Sequence, residues 1–264
     1  MKNQQKDVVA GLGEIGNPIR KLVSKVMTTQ GYDIDPKLIK NNKKMNQLQT
    51  RFLHVCIPFN EKFDDNVISL YHKFKPMGII IHSTIAPGTT KKIQSQLPIS
   101  VIYSATRGVH KRMLYDLKRY TKFFAIQSSA PDGRWAARTF AKLMKDCGVK
   151  TKKMSSPIAL ELAKIVVDTS YYGWLINYAQ LSSMIAQKHG VDYDEMWSFA
   201  DEIHKYLGNR PKMFPGFIGG HCVLPNLDLL KDPNLELIRE INNDYAKLLD
   251  KRRSKKKTQK ERQP

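Results

Sequence analysis

Residues 7–16 read DVVAGLGEIG, and this stretch decides the class of fold. An apolar run that ends in glycine is typical of a buried strand followed by a turn. Residues 14–27 then place apolar side chains at helical spacing, so that a GxGxxG motif stands between a strand and a helix. In this motif the first glycine permits the tight turn, the second lets the backbone approach a pyrophosphate, and the third allows close helix–strand packing. The stretch therefore predicts the first strand and helix of a dinucleotide-binding domain.

A carboxylate follows at the distance that such a domain requires. The second predicted strand delivers Asp33, seventeen residues after Gly16, where an acid binds the ribose hydroxyls of adenosine. An aspartate at this position favours NAD over NADP as the cofactor. Asp35 is an alternative for the same role, or it caps the helical turn that begins at Pro36. The candidate cofactor-binding residues of this region are Gly11, Gly13, Glu14, Ile15, Gly16 and Asp33.

The rest of the chain changes its pattern near residue 155. Strands and helices alternate before that point, which predicts βαβ units and a mostly parallel sheet. From Pro157 to His189 the pattern is helical throughout, which is long for a globular protein. We predict an α/β chain, in which a doubly wound, Rossmann-type sheet is followed by an all-α domain entered through a long helix. The predicted domains are a Rossmann NAD-binding domain at 1–154, a helical central or dimerisation domain with the GGHC loop at 155–232, and a C-terminal helix with a basic, disordered tail at 233–264. Residues 210–226, rich in proline and glycine, are predicted to form a loop.

Charge is the unusual bulk property of the chain. Its 264 residues include 44 Lys or Arg and 24 Asp or Glu, which gives a net charge of +20. Residues 247–264 hold nine basic and two acidic residues, which is +7 of that total and leaves +13 for the rest. The excess favours an anionic partner such as a nucleotide or nucleotide sugar, or it serves solubility alone. The basic tail has no interleaved aromatic residue to stack on bases, so nucleic acid is not expected as a specific partner.

Hydropathy and cysteine usage indicate a compartment. No apolar run approaches the roughly 18–20 residues that a membrane helix needs, and no secretory signal is visible at the N-terminus. Cys56, Cys147 and Cys222 are widely spaced and form no CxxC pair. This spacing argues against a disulfide framework or a zinc site and fits the reducing cytoplasm. We therefore expect a cytoplasmic protein without a bound metal.

Four segments of the chain resemble the nucleotide-sugar 6-dehydrogenases, the UDP-glucose/GDP-mannose dehydrogenase family. They are GLGEIG with GYDIDP, the strand VCIP, the string STIAPGTT at residues 83–90 and the string GGHC at residues 219–222. The GGHC form is more similar to the branch that oxidises UDP-N-acetylmannosamine. The resemblance covers residues 7–230 and implies an NAD-dependent oxidoreductase of polysaccharide biosynthesis with a nucleotide-sugar substrate. It adds Pro58 and Thr84 to the cofactor-binding residues.

The resemblance also implies catalytic residues. In the family one cysteine, here Cys222, takes part in two successive oxidations, from alcohol to aldehyde and, through a thiohemiacetal and a thioester, to the acid. His221 and the basic character of the chain favour the thiolate form that such a nucleophile needs. Lys164 of the ELAK string at residues 161–164 corresponds to the lysine that stabilises the oxyanion. Asp168 stands where the family has asparagine, and it is expected to pair with Lys164 at the i, i+4 spacing.

The chain departs from the family in two strings. After the predicted strand ISVIY the family has Pro-Glu, whereas residues 104–110 read SATRGVH and contain no carboxylate. His110 as a base or Thr106 as a residue that holds water could replace the glutamate. Four residues after the cysteine the family has aspartate, whereas here Asn226 occupies that position and Asp228 follows. The candidate substrate-binding residues are Arg107, His110, Gly219, Gly220, His221 and Asn226.

A third departure from the family pattern leaves more than one class of function open. The chain stops before the family's C-terminal nucleotide-binding domain, so that a partner chain supplies this half, the substrate is smaller, or turnover is lost. One alternative is a two-domain β-hydroxyacid-type dehydrogenase, which needs no cysteine. Another is a non-catalytic or partner-dependent dinucleotide-binding homologue. The long helix is apolar on more than one face, so we expect a homodimer through it.

Overall fold

The structure is a computed structural model that describes residues 5–39, 47–207, 215–220, 223–231 and 233–260. The chain divides into two compact units, Met1–Lys164 and Ile165–Pro264, and each is considered by itself. The division falls inside the long helix rather than before it. Leu160 is only 7% exposed and belongs to a hydrophobic cluster of the first unit, so the first turns of the helix are part of that unit.

The first unit is built on one seven-stranded sheet. In chain order its strands are β1 (Gln5–Ala10), β2 (Thr29–Tyr32), β3 (Gln49–Val55), β4 (Gly78–Ile81), β5 (Ser100–Tyr103), β6 (Lys122–Ile126) and β7 (Thr151–Lys153). Their order across the sheet is β2-β1-β3-β4-β5-β6-β7. β1 to β5 are mutually parallel, β6 runs antiparallel to β5, and β7 is parallel to β6. The predicted α/β fold with a mostly parallel, doubly wound sheet is confirmed.

Helices cover both faces of this sheet. They are Gly16–Val23, Phe63–Phe74, Thr89–Gln94, Met113–Arg119, Gly133–Asp146 and Pro157–Leu162, with 3-10 turns at Pro36–Leu38 and His110–Arg112. Successive strand residues point to opposite faces. One face packs through Val9, Phe52 and Ile80, and the other through Val8, Leu53 and Ile79. Burial on both faces is the reason that the strands are apolar runs without polar alternation.

The described part of the second unit contains helices and no strand. The long helix continues from the first unit through a π-helical segment, Ala163–Ser170, into Tyr171–Lys188. The other helices are Tyr193–Ser198, Asp201–Leu207, Val223–Leu230 and Pro233–Lys260. Ile218, Val223, Leu227 and Ile238 form its buried apolar cluster. A side chain at Gly173 would lie 2.9 Å from Val223, so this glycine allows the close approach of two helices.

Several elements differ from the sequence prediction. The helix Met113–Arg119 and the strand β7 were not foreseen. The predicted loop at 210–226 gives way to a helix at Val223, because a proline is tolerated in the first helical turn. The helix that begins at Pro233 continues to Lys260, so the basic run expected to be disordered is helical that far. Its Lys, Arg and Gln residues are good helix formers, and neither glycine nor proline interrupts them. Among the described residues, no helix has the length and apolar character needed to cross a membrane.

Candidate functional site

The glycine turn after β1 has the geometry that the motif predicts. Gly11 has a φ of 85°, and a Cβ there would lie 2.7 Å from the carbonyl oxygen of Cys56. A Cβ at Gly16 would lie 1.6 Å from the carbonyl oxygen of Gly11, so neither position accepts a side chain. A Cβ at Gly13 would meet nothing within 4 Å. The first and third glycines are therefore required by packing, whereas the second faces open space, as a phosphate-binding position would.

Asp33 lies next to this turn. Its Oδ2 accepts a hydrogen bond of 2.6 Å from the backbone N–H of Leu12, and its Oδ1 accepts one of 3.0 Å from the N–H of Asp35. A carboxylate has about four lone-pair positions, so both oxygens can still accept hydrogen bonds from ribose hydroxyls. Asp35 instead caps the 3-10 turn, because its Oδ1 accepts from the N–H of Lys37 at 2.9 Å. The structure thus brings Asp33 to the glycine turn and gives Asp35 a capping role.

The carboxyl edge of the sheet, formed by the residues that follow β1, β3, β4 and β5, brings further candidates together. The Ser83 hydroxyl donates a hydrogen bond of 2.6 Å to the carbonyl of Ile57. This bond ties the segment that contains Pro58 to the turn that contains Thr84. Side chains at the ends of parallel strands line the crevice where ligands bind in open α/β sheets. Pro58 and Thr84 are therefore on the same edge as the glycine turn.

Two predicted substrate-binding residues contact other protein groups in this unit. His110 Nδ1 lies 2.5 Å from Oε2 of Glu14, the residue at the fourth position of the GxGxxG motif. The guanidinium of Arg107 donates a hydrogen bond of 2.7 Å to the carbonyl of Thr121 and lies 5.1 Å from the ring centre of Phe123. His110 thus connects the segment after β5 with the glycine turn, and Arg107 is held toward β6.

Lys122 is a member of this edge that the sequence analysis did not foresee. It is 5% exposed, and its Nζ donates hydrogen bonds to the carbonyls of Ser104 and Ala105 at 3.0 and 3.4 Å. Its Nζ also lies 3.5 Å from the Thr106 hydroxyl. Burial is the main reason that the pKa of Lys122 is lowered to about 7. Cys56 acts in the opposite direction, and nearby cations act in the same direction as burial. A lysine thus underlies the segment in which the family has a glutamate.

A row of buried polar side chains lies across β1 and β3 and extends to the residue after β4. Asp7 accepts two hydrogen bonds from Arg51, at 3.0 and 2.6 Å, and its Oδ2 lies 3.5 Å from Nε2 of His54. The His54 ring stacks on the His82 ring, with Nδ1 of His54 2.9 Å from Nε2 of His82. Burial and neighbouring cations lower the pKa of His82 well below its usual value, so this imidazole is neutral. The row ends at His82, which directly precedes Ser83 at the carboxyl edge of the sheet.

Cys56 and Cys147 both have protonated thiols. Burial raises the pKa of Cys56 to about 12, although Lys122 acts in the opposite direction. Burial also raises the pKa of Cys147 to about 11. The thiolate is the reactive form of cysteine, so the raised pKa values suit structural roles for these two residues. No group of three or more His, Cys, Asp or Glu side chains within the described ranges is arranged to hold a metal ion.

In the second unit, buried side-chain amides form hydrogen bonds with the backbone of the segment before the GGHC string. Asn242 Oδ1 accepts a hydrogen bond of 2.7 Å from the N–H of Ile218, and its Nδ2 donates one of 3.1 Å to the carbonyl of the same residue. Gln180 Nε2 donates to the carbonyl of Gly216 at 2.7 Å, and the Tyr245 hydroxyl donates to that of Pro215 at 2.6 Å. These contacts fix the chain directly before Gly219 and Gly220. His221 and Cys222 lie outside the described residues.

Other predicted residues of this region have structural partners. Asn226 is 7% exposed and donates a hydrogen bond of 3.1 Å to the hydroxyl of Thr169. Asp228, which follows Asn226 in the sequence, forms an ion pair of 2.6 Å with Arg239. Lys164 and Asp168 both lie in the π-helical segment. The backbone of that segment has i→i+5 hydrogen bonding, which a sequence pattern of period 3.6 does not reveal.

Comparison with known proteins supports the fold. No protein-family model matches the chain, and no curated protein matches it. Its structure is similar to UDP-D-ManNAc dehydrogenase from Pyrococcus horikoshii, with a TM-score of 0.77, 20% identity, and coverage of 96% of this chain and 72% of the other. The UDP-N-acetyl-mannosamine dehydrogenase of Staphylococcus aureus gives a TM-score of 0.69 at 19% identity, with coverage of 94% and 71%. The chain has the fold of these dehydrogenases.

A shorter dehydrogenase is similar as well. The 3-hydroxyisobutyrate dehydrogenase of Mycobacterium tuberculosis gives a TM-score of 0.62 at 17% identity. The match covers 92% of this chain and 94% of that enzyme. The common fold therefore includes both classes of dehydrogenase that the sequence analysis considered.

Proposed function

We propose that the chain is an NAD-dependent dehydrogenase that oxidises a CH–OH group of a nucleotide sugar. The observation that carries this proposal is the glycine turn, in which Gly11 and Gly16 are packed against other atoms and Gly13 is open. Asp33 beside the turn suits the adenosine ribose. The similarity in fold to nucleotide-sugar dehydrogenases supports the substrate class.

Each proposed residue has a defined task in this reaction. The open position at Gly13 receives the pyrophosphate, Asp33 binds the ribose, and Thr84 contacts the nicotinamide end. NAD, when bound, accepts a hydride from the substrate carbon. The ammonium group of Lys164 stabilises negative charge on the substrate oxygen, and the Arg107 guanidinium attracts an anionic group of the sugar.

The second oxidation is proposed to proceed through Cys222. Its thiolate adds to the aldehyde carbon and forms a thiohemiacetal. Removal of a hydride from that carbon, with NAD as its acceptor when bound, and release of the hydroxyl proton to water would leave a thioester; attack of water on its carbonyl carbon would then release the acid, a proton and the thiolate. The reaction therefore consumes two NAD for each substrate molecule oxidised to the acid.

Gly13→Ala tests the proposed site with Gly133→Ala as its matched control. A Cβ at Gly133 lies 3.6 Å or more from other atoms, so both variants should fold like the parent. We expect Gly13→Ala to weaken NADH binding at least about tenfold, because its methyl group occupies the phosphate position, and Gly133→Ala to leave binding unchanged. Calorimetric titration with NADH measures both. Equal NADH affinities in all three proteins would reject the site.

Turnover tests the substrate class. Purified protein should form NADH from NAD with a member of a panel of UDP- and GDP-sugars that includes UDP-N-acetylmannosamine. Cys222→Ala should lose formation of the acid. A protein that binds NADH but oxidises none of the sugars would contradict the proposed substrate class.

A β-hydroxyacid dehydrogenase is the second candidate function. It is favoured by the similarity to 3-hydroxyisobutyrate dehydrogenase, which covers 94% of that shorter enzyme. Such an enzyme would oxidise a small hydroxy acid once, and Cys222→Ala would retain its activity. Adding 3-hydroxy acids to the panel therefore separates the two candidates.

We also propose a homodimer through the long helix. Several large apolar side chains of this helix are more than a third exposed in the single chain, namely Val166, Val167, Tyr171, Tyr172, Tyr178, Leu181 and Ile185. Exposure of so many large apolar side chains on one helix supports an interaction site there. Sedimentation at micromolar concentration should give the mass of a dimer, and Tyr178→Glu should shift the protein toward the monomer. A monomeric parent would refute this part of the proposal.

A further inference from the structure

Glu161 is a buried carboxylate that none of the tasks above uses. It is 0% exposed, and its oxygens accept three hydrogen bonds from residues more than 70 positions earlier. Oε2 accepts from the N–H of Gly88 at 2.6 Å. Oε1 accepts from the N–H and the hydroxyl of Thr90, at 3.0 and 2.6 Å. Because an unpaired carboxylate is costly to bury, these bonds are what allow Glu161 to occupy the interior.

The three bonds cap the helix Thr89–Gln94 from a different element. Gly88 is the N-cap residue of that helix, has a φ of 91° and provides no side-chain cap. The N–H groups at a helix start lack intrahelical partners and favour a negative charge nearby. Glu161 provides that charge from the helix Pro157–Leu162. One side chain thus joins two helices of the first unit.

Both joined elements carry residues that the proposed reaction needs. The capped end belongs to the turn at residues 83–90, which contains Thr84, and Glu161 lies three residues before Lys164. The other end of the turn is held by the bond from Ser83 to Ile57. Loss of the Glu161 contacts would remove the side-chain hydrogen bonds that hold the Gly88–Thr90 end of this turn.

We propose that Glu161 is a positioning residue that fixes the turn at residues 83–90 relative to the segment that bears Lys164. This inference rests on the proposed function, because the turn is the proposed nicotinamide contact. Glu161 itself is not an acid–base group, since both oxygens already accept hydrogen bonds and a base must reach the proton that it removes. Its effect is geometric, and small displacements of reacting groups reduce rates strongly.

The test compares Glu161→Gln with Glu61→Gln, which alters an exposed glutamate of the same unit. Amide hydrogen exchange of Gly88 and Thr90 reports on the contact directly. We expect Glu161→Gln to reduce protection of these two amides at least about tenfold, because their acceptor loses its charge and one oxygen. The amides of β4 should keep their protection, and Glu61→Gln should match the parent throughout.

NADH affinity is the readout that a purely structural role would not change in folded protein. Glu161→Gln should raise the Kd for NADH by roughly five- to tenfold, whereas Glu61→Gln should leave it unchanged. Parent-like exchange at Gly88 and Thr90 in Glu161→Gln would overturn the inference. An unchanged Kd for NADH in a Glu161→Gln protein whose Gly88 and Thr90 amides have lost protection would also overturn the inference.

Thr90→Val gives an independent measurement if Glu161→Gln does not fold. It removes only the hydroxyl contact, so a smaller loss of protection at Gly88 and a smaller increase in the Kd for NADH are expected. No change in either quantity would reject the inference. If the parent itself fails to bind NADH, the proposed function is rejected and the exchange data alone decide whether Glu161 positions the turn.

Discussion

Lys122 and Ser104 are joined by a hydrogen bond of 3.0 Å from the ε-ammonium group to the backbone carbonyl. The bond connects the first residue of β6 to the first residue after β5. It places a cation inside the protein, under the segment at residues 104–110. Burial is the main reason that the pKa of Lys122 is about 7, well below that of a lysine in an unfolded chain.

The low pKa of Lys122 makes stability depend on pH. Between about pH 7 and 8.5 the unfolded chain keeps this proton and the folded protein loses it, so the free energy of unfolding rises with pH. The expected rise over this interval is about 1.5 kcal/mol. Urea unfolding at a series of pH values measures it.

Lys122→Met is the matching variant. It keeps the approximate volume of the side chain but has no proton to release, so its unfolding free energy should lack the rise. Above about pH 8.5 the comparison is less direct, because the cysteine thiols begin to ionise in the unfolded chain. A rise of the same size in parent and variant would show that Lys122 is not its source.

Gly16→Ala should disrupt the glycine turn. The added methyl group would lie 1.6 Å from the carbonyl oxygen of Gly11, which is backbone and cannot rotate away. We expect a loss of at least about 3 kcal/mol in the free energy of unfolding, or failure to fold. Gly133→Ala, with no atom closer than 3.6 Å, is the control and should remain within about 1 kcal/mol of the parent. A Gly16→Ala protein as stable as this control would contradict the observed packing.

Asp33→Ala should weaken the binding of NADH at least about tenfold, because it removes the acceptor for the ribose and the bond to Leu12. The preference for NADH over NADPH should decrease in the same variant. Asp35→Ala is the control, since its carboxylate caps the turn at Lys37. Affinity measurements with both cofactors check the pair of variants. Loss of binding in Asp35→Ala alone would transfer the ribose role to Asp35.

Asp7→Asn should destabilise the first unit by about 3 kcal/mol, because it leaves the Arg51 guanidinium without its buried counter-charge. Burial alone would raise the pKa of Asp7, but His54 and Arg51 lower it below the usual value. The stabilisation is therefore present above about pH 4 and is lost as the pH falls through the folded pKa. Asp146→Asn, which breaks an exposed pair with Lys142, should cost about 0.5 kcal/mol. Similar losses in the two variants would argue against the importance of the buried pair.

Asn242→Ala should loosen the segment before Gly219. Two backbone groups of Ile218 lose their partner, and the expected cost is about 2 kcal/mol of unfolding free energy. The neighbouring exposed Asn243→Ala should change stability by less than about 0.5 kcal/mol. Thermal unfolding of both variants compares them. The prediction is wrong if Asn243→Ala has the larger effect.

The glycine turn could be predicted from sequence because its requirements are local. Gly11 adopts a positive φ in the turn and Gly16 packs on the backbone of Gly11, both within one βα unit, and Asp33 follows in the next strand, so spacing alone indicates them. The apolar strands and the long helix were predicted for the same reason. Periodicity and glycine placement depend on neighbours within a few residues.

Lys122 and Glu161 could not be assigned in this way. Lys122 reaches residues 16 to 18 positions earlier, and Glu161 binds residues 71 and 73 positions away. A lysine that begins a strand and a glutamate in the second turn of a helix are ordinary surface residues by pattern. Only the pairing of β5 with an antiparallel β6, and the packing of the helix Pro157–Leu162 on the sheet, bury them.

The reversed direction of β6 has a consequence for the redesign of this protein. In a parallel sheet the side chains at the ligand-binding edge belong to loops, so changing them also disturbs loop conformation. β6 instead brings its first residue, Lys122, to that edge. The charge beneath the segment at residues 104–110 can therefore be altered by one substitution in a strand, without changing the length or sequence of any loop.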